Sequence, residues 1–481
     1  MGDLWYSIIT LEAYIISTQG CRLWMCDAPE NHALLVDSKG YGGNILYPDI
    51  VDESWSSESG NVDRAASSRT MCKSRDHSKA IDIPEGESMI AACPGPRNKL
   101  RNFEKSSFTL TCYNDQLMNN KMIIQWSELG CLRKLRPYTR SRRGKRCGDQ
   151  KEGHIRTIGW KVEKLFIPQI DICFNEDIET TLYTRHFIHG RYIDAKAVDP
   201  KQRRPSFKRG KLFSVKVNSL YKKKNQKIIL GKLLGEPDHL AEFGKKQNYL
   251  ARGHLAPDAD FVTEAEQNAT FSYGNVVPQW QGFNNGNWKK LEGATRDLAL
   301  KWQQTLIIWT GSHGVLHLPD DQGTNVPVYL GLLEKRKIVP VPELMWKVIH
   351  SSLENQSVVF IGLNNIHEPD DEAFNTLHSI NFDDDISTGH TNLWNSLSAA
   401  WDFGVTTLRD SGALNRIPLW ITGNEVTENS SLELCQDMFS EVQWMKWHKL
   451  NIAKKGKIIC CSLYDAKKLI PTLHEIDDTI F

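Results

Sequence analysis

The pattern of apolar and polar positions changes character near residue 166. Beyond it, residues 287–303 (NWKKLEGATRDLALKWQ) space Trp288, Leu291, Leu298 and Trp302 at helical intervals with charges between them, which predicts a helix. Asn284 to Asn287 supply cap-type residues just before it. Thr180–Ile188, Lys211–Val217, Tyr249–Leu255 and Gly274–Gln279 read as strands, and Leu306–Gly311 and Ser357–Leu363 as buried strands. Before residue 166 the strand-like segments are shorter, such as Ser106–Cys112 and Lys121–Trp126. Residues 52–80 hold few large apolar side chains and read as a loop or disordered insert. The pattern predicts an α+β chain with two parts. Residues 1–165 form a small cysteine-rich β-type domain, and residues 166–481 form a larger domain of mixed antiparallel sheet and helices.

The length of 481 residues and the 40% hydrophobic content suit one large core and a smaller one. Most of the 15 tryptophans belong to those cores. A net charge of +1, from 59 basic and 58 acidic residues, excludes a histone-like polycation but leaves nucleic acid open. The cations cluster. Residues 131–147 contain Arg133, Lys134, Arg136, Arg140, Arg142, Arg143, Lys145 and Arg146 with no acid. Lys201, Arg203, Arg204, Lys208, Arg209 and Lys211 make a second run, and Lys222, Lys223, Lys224 and Lys227 a third. Such runs are usually solvated loops; they touch a polyanion in a minority of cases.

Eight of the 11 cysteines lie before residue 174, with no C-x-x-C spacing, which fits disulfides in an oxidising compartment better than a zinc site. Sequons at Asn268, Asn355 and Asn429 add weak support for secretion. Residues 4–19 are fairly apolar, but Asp3 and Glu12 and the lack of a basic lead-in spoil a signal peptide. No apolar run is long enough for a membrane span.

Cleaving a phosphodiester needs a base for water, positive charge for the developing phosphate charge, and help for the leaving oxygen. A hydrated divalent cation with one His and one Arg can meet all three needs. Segment 249–292 holds such groups. Alternation puts Arg252 and His254 on one strand face, and Gly253 between them leaves room for close approach. Asn275-Val276-Val277-Pro278-Gln279 follows, then Asn284 to Glu292, then Arg296. A neutral Asn suits Mg²⁺, which keeps most of its waters. Eight residues on one helix would place Asn284 and Glu292 about 80° apart. R-G-H alone carries little; the joint order carries the reading.

That order, R-G-H, then N-x-x-P-Q, then N-x-G-x-W-x-x-L-E-x-x-x-R, resembles the DNA/RNA non-specific endonucleases of the ββα-metal (His-Me finger) fold. Thr180–Tyr183, Arg204–Lys208, Leu233–Gly235 and Cys93–Gly95 resemble their secreted arthropod branch, which includes digestive double-strand nucleases. The resemblance implies His254 as general base, Asn284 as the single direct Mg²⁺ ligand (Mn²⁺ being a possible substitute), and Glu292 as the carboxylate holding metal waters. It implies Arg252 and Arg296 as phosphate-stabilising groups and Asn275 as a support for the arrangement. Arg204 and Lys208 are the candidate substrate contacts, Arg204 standing in for an upstream family arginine that has no secure place. Ala251 departs from the Asp-Arg-Gly-His of many members, which leaves substrate choice open. The expected activity is sequence-nonspecific hydrolysis of DNA and/or RNA, double-stranded by resemblance, to 5′-phosphorylated fragments by a secreted enzyme. Two other readings stand beside it: a nuclease-fold protein that binds nucleic acid without cutting, and an intracellular mitochondrial nuclease. Oligomeric state is left open.

Overall fold

The computed structural model describes residues 20–37, 44–51, 78–197, 204–235, 242–334, 336–365, 455 and 458–476. The insert expected at 52–80 lies outside the described residues except at its end, where Lys79–Ile83 is a strand. The apolar stretch 4–19 and the sequon at Asn429 also lie outside them.

The chain divides into two compact units, one of residues 1–135 with 162–165 and one of 136–161 with 166–481. The first is built of antiparallel strands. One sheet runs through Leu34–Asp37, Ser88–Ala92 and Ser107–Tyr113, and a smaller one pairs Cys21–Trp24 with Lys79–Ile83. The pattern of Ser107–Tyr113 alternates buried and exposed, as a half-buried strand requires. Disulfides Cys21–Cys112 and Cys93–Cys131 sit in its core, and Cys26 is also disulfide-bonded. Of Lys121–Trp126 only Met122–Ile123 is a strand; Trp126 begins a short 3-10 turn and buries its ring.

The second unit is organised by one antiparallel sheet. Its strands are β1 (Tyr138–Cys147), β2 (Gly153–Val162), β3 (Leu165–Asn175), β4 (Thr180–His189), β7 (Thr305–His313), β8 (Leu344–Ser351), β9 (Gln356–Leu363) and β10 (Ile458–Ser462). They stand side by side in the order β1-β2-β3-β4-β7-β8-β9-β10. Between β4 and β7 the chain inserts a hairpin of β5 (Leu250–His254) and β6 (Val276–Trp280), then the helices α1 (Gln281–Asn284) and α2 (Asn287–Trp302). Helix α2 buries Trp288, Leu291, Leu298 and Ala299 against Ile188, Ile308, Met345 and Phe360 of the sheet. Its apolar stripe is what the spacing at 287–303 predicts, and Gln303 ends it in the left-handed conformation.

Three expectations change. The boundary falls near residue 135 rather than 165, because β1 and β2 hydrogen-bond into the large sheet; the basic run at 131–147 thus lies mostly on β1. Lys211–Val217 is not a strand. Phe213 is buried, but the backbone N–H and hydroxyl of Ser214 both donate to Glu179, so a side chain takes the place of a ladder partner. Gly274 lies in a 3-10 turn, and the strand begins at Val276. Among the described residues no helix is long and apolar enough to cross a membrane.

Candidate active site

Strand β5 carries Arg252 and His254, and its partner β6 sets Gly253 opposite Val277. A Cβ at Gly253 would lie 2.3 Å from Gln279 Oε1 and 2.6 Å from Gln279 Cβ, so this close approach needs glycine. After His254 the hairpin is closed by Asn275. Its side chain is fully buried, accepts from Ala256 N at 3.0 Å, and donates to Ala256 O at 2.8 Å and Thr270 O at 3.0 Å. All three bonds go to backbone, so Asn275 is a brace that fixes the chain just past the histidine.

His254 is half-buried between Phe207 and Phe271, with ring centroids 5.2 and 5.3 Å away. Its Nε2 has no hydrogen-bond partner among the described residues. Burial pushes its pKa down to about 4; Asp258 works against that shift and Arg204 adds to it. The ring is therefore neutral at pH 7 with a lone pair to offer.

Arg252 donates from Nε to Tyr273 Oη at 2.9 Å, and its guanidinium lies 5.2–5.5 Å from the rings of Phe207, Tyr221 and Tyr273. Aromatic faces on several sides orient a cation without cancelling its charge. Arg204 is exposed, 3.6 Å from Asp258, with its guanidinium 5.9 Å from the Phe271 ring. Lys208 is exposed and donates from Nζ to the Ser206 hydroxyl at 3.3 Å, while its backbone bridges to Ser272.

Glu292 and Arg296 stand one turn apart on α2. Arg296 donates to Asp260 Oδ1 at 2.8 Å, and His186 Nε2 meets Asp260 Oδ2 at 2.9 Å. Burial alone would raise the Asp260 pKa, but His186, Arg296 and Lys347 hold it down, to about 2. Lys347, 1% exposed on β8, donates to Thr310 Oγ1 at 2.7 Å from the facing position of β7. Glu292 makes no hydrogen bond with a described residue. Burial pushes its pKa up to about 7, with Lys347 and Arg296 opposing the rise and Asp260 and Asp258 adding to it. Asp258 thus acts on both His254 and Glu292, which places base and carboxylate in one electrostatic neighbourhood.

Asn284 is the last residue of α1, not part of the helix that carries Glu292. The backbone breaks at Asn285 and Gly286, where a Cβ would lie 2.3 Å from Gly282 O, so the 80° relation expected for one continuous helix does not apply. Asn284 Nδ2 pairs with Gln281 Oε1 at 3.4 Å, and no donor among the described residues occupies its Oδ1. Among the described residues no three His, Cys, Asp or Glu side chains converge on one point as a cation cage would require.

His186, Asp260, Lys347 and Tyr273 are functional neighbours that sequence reasoning missed. Asp260 and Tyr273 sit in turns inside the motif segment, while His186 and Lys347 lie 66 residues before Arg252 and 51 residues after Arg296, on strands whose pairing no local pattern reveals. The only sequence hint is a charged Lys347 inside an otherwise apolar run, Leu344–Ile349.

Residues 156–393 match the model of the DNA/RNA non-specific endonucleases. Residues 156–393 belong to this family. The chain is 28% identical to a salivary endonuclease of Lutzomyia longipalpis over 60% of this chain and 63% of that protein. It is 27% identical to the salivary protein Tsal1 of Glossina morsitans morsitans over 60% of this chain and 70% of that protein. A salivary endonuclease of Culex quinquefasciatus shares 29% identity over 42% of this chain and 48% of that protein. The matched region spans just under two thirds of the Lutzomyia protein's length.

Proposed function

We propose that this endonuclease is secreted, depends on a divalent cation, and hydrolyses DNA and/or RNA without sequence preference to 5′-phosphorylated fragments. The observation that carries the reading is His254: a neutral imidazole with an unpartnered Nε2, beside Arg204 and Arg252 and sharing Asp258 with Glu292. The disulfides and the salivary relatives support secretion.

The donor set fits a hard cation that keeps its waters. Among the described residues nothing donates to Asn284 Oδ1, which suits it to ligate, or to the Glu292 carboxyl, which suits it to hold the surrounding water. Mg²⁺, or Mn²⁺ in its place, would be held by Asn284 and would supply charge against the developing phosphate charge. His254 Nε2 accepts the proton of the attacking water as its oxygen bonds to phosphorus; the P–O3′ bond breaks, O3′ takes up a proton from solvent water, and the phosphate stays on the 5′ end of the other fragment. Braced by Asn275, the histidine keeps its aim without spending its own hydrogen bonds. Arg252, held by Tyr273, and Arg296, held by Asp260, meet the non-bridging phosphate oxygens with guanidiniums that need no reorganisation. Arg204 and Lys208 reach the flanking backbone, and such contacts are blind to sequence.

The test is incubation of purified protein with long duplex DNA, duplex RNA and single strands, with and without Mg²⁺. His254→Ala is expected to remove nearly all cleavage, at least about a hundredfold for a lost general base, while binding survives. Full activity in that variant would overturn the assignment.

A further inference from the structure

Residue 185 precedes His186 on β4, so their side chains leave opposite faces of the sheet. His186 faces α2 and the candidate active site. Arg185 faces the other side, where it shares Asp171 of β3 with Arg142 of β1, at 3.8 and 3.5 Å. Asp171 also accepts from Thr157 of β2 at 2.6 Å. Two guanidiniums thus share one carboxylate already engaged by a hydroxyl, and the row from β1 to β4 keeps an excess positive charge. The Nε of Arg142 and of Arg185 both lack a hydrogen-bond acceptor among the described residues. Arg185 also lies 5.2 Å from the Phe187 ring and 5.7 Å from the Trp309 ring.

Strand β1 extends this charge. Its register against β2 breaks between Ser141 and Arg146, so residues 142–145 arch out opposite a single residue. Gly144 has φ +78° and open space around its Cβ position, as the tip of such an arch requires. Lys145 and Arg146 are exposed beside it, and Arg140 lies flat over Phe166 at 4.0 Å. Cations on an edge strand also deter sheet-to-sheet pairing. That purpose does not explain Arg185, which lies on an interior strand.

Resting on the proposed nuclease activity, we infer that this face, with Arg140, Arg142, Lys145, Arg146 and Arg185, is a second binding surface for the phosphate backbone of long nucleic acid, separate from the cleavage site. A strand engaged there is held by sequence-independent charge while another stretch is cut on the opposite face. Partly exposed guanidiniums, 35% for Arg142 and 27% for Arg185, beside flat rings suit phosphates and unstacked bases.

The test uses the full chain. Arg140→Gln/Lys145→Gln changes only exposed residues, and Arg185→Gln probes the interior member; thermal unfolding confirms that each folds. In a His254→Ala background, affinity for a duplex of several turns is measured against salt. The expected result is at least about a tenfold loss in affinity. The log–log salt slope should fall by about 0.9 for each phosphate contact removed. With His254 intact, KM for the long duplex should rise, while cleavage of a roughly 8-base-pair duplex, ~27 Å long at ~3.4 Å per pair, changes less than twofold. Unchanged affinity and slope in folded variants would overturn the proposal. So would a loss confined to a sulfated polysaccharide with nucleic acid unaffected. If the unsubstituted chain cuts nothing, the nuclease reading fails by itself, and the binding series still decides the surface.

Discussion

Asp260 accepts from Arg296 through one oxygen and meets His186 through the other, with Lys347 close enough to affect its charge. Asp260→Asn keeps the shape and removes the charge. With its amide NH2 toward His186, the new side chain would force the imidazole proton onto Nδ1, which is buried and has no partner among the described residues. An orphaned buried donor costs about 1–3 kcal/mol. With the amide turned over, the NH2 would instead face the Arg296 guanidinium, donor against donor. Either way Arg296 and Lys347 lose a buried counter-charge, and breaking a buried pair from one side costs about 3–5 kcal/mol. At roughly 2–4 °C per kcal/mol for a domain of 150–250 residues, Tm should fall by about 6–20 °C, nearer the lower end for this larger unit. Scanning calorimetry at pH 7 reads the shift. A double-mutant cycle with Arg296→Gln should show that the two losses do not add, because they share one interaction. A Tm within 2 °C of the unsubstituted protein would refute the argument that this carboxylate anchors the site.

His254→Gln should be compared with the unsubstituted chain across pH. The folded histidine titrates near 4 and the unfolded one near 6.5, so the folded state binds the proton less readily. The stability this depressed pKa contributes is therefore complete above 6.5 and lost as pH falls toward 4, by about 3 kcal/mol at ~1.4 kcal/mol per unit. The variant should gain on the parent over that window in urea unfolding; parallel curves would contradict the depressed pKa. Gly253→Ala drives a methyl into Gln279 and should cost about 1–3 kcal/mol and most of the activity, read by Tm and turnover; a neutral result would show that β6 can yield. Chelation by EDTA should stop cleavage, and Asn284→Ala should raise the Mg²⁺ concentration for half-maximal rate at least about tenfold, or ~1.4 kcal/mol. Chelator-resistant cutting would remove the cation from the mechanism.

Local pattern made much of this legible. The stripe of α2 and the strands at 180–189, 250–254, 305–313 and 356–363 follow from periodicity, because each buries one side against the core. The motif order pointed to the residues of β5, β6 and α2. What sequence could not supply was long-range. The partners of Arg296 and Arg252 come from turns, those of Asp260 from β4 and β8, and no spacing announces which strand lies beside which. The helical relation of Asn284 to Glu292 failed because Gly286 packs where no Cβ fits, a fact of close approach rather than of propensity. The basic run at 131–147 looked like part of the cystine-linked region because Cys131 and Cys147 bracket it, yet the two cysteines pair in different units.

The Cys147–Cys173 disulfide ties the end of β1 to β3 across β2, and a Cβ at Gly153 would lie 2.6 Å from Cys173 Sγ. With a sequence separation of 26 between the cysteines, the loop-entropy relation gives the link about 3–4 kcal/mol. The outermost strand of the sheet is held along one side only, so this covalent strap bears much of its attachment. Reduction would loosen the arginine-rich margin first and leave the histidine hairpin, a separate two-stranded sheet, in place. If that margin binds nucleic acid as inferred, the redox state of the surroundings would set how firmly the protein holds a long polymer, apart from how fast it cuts one.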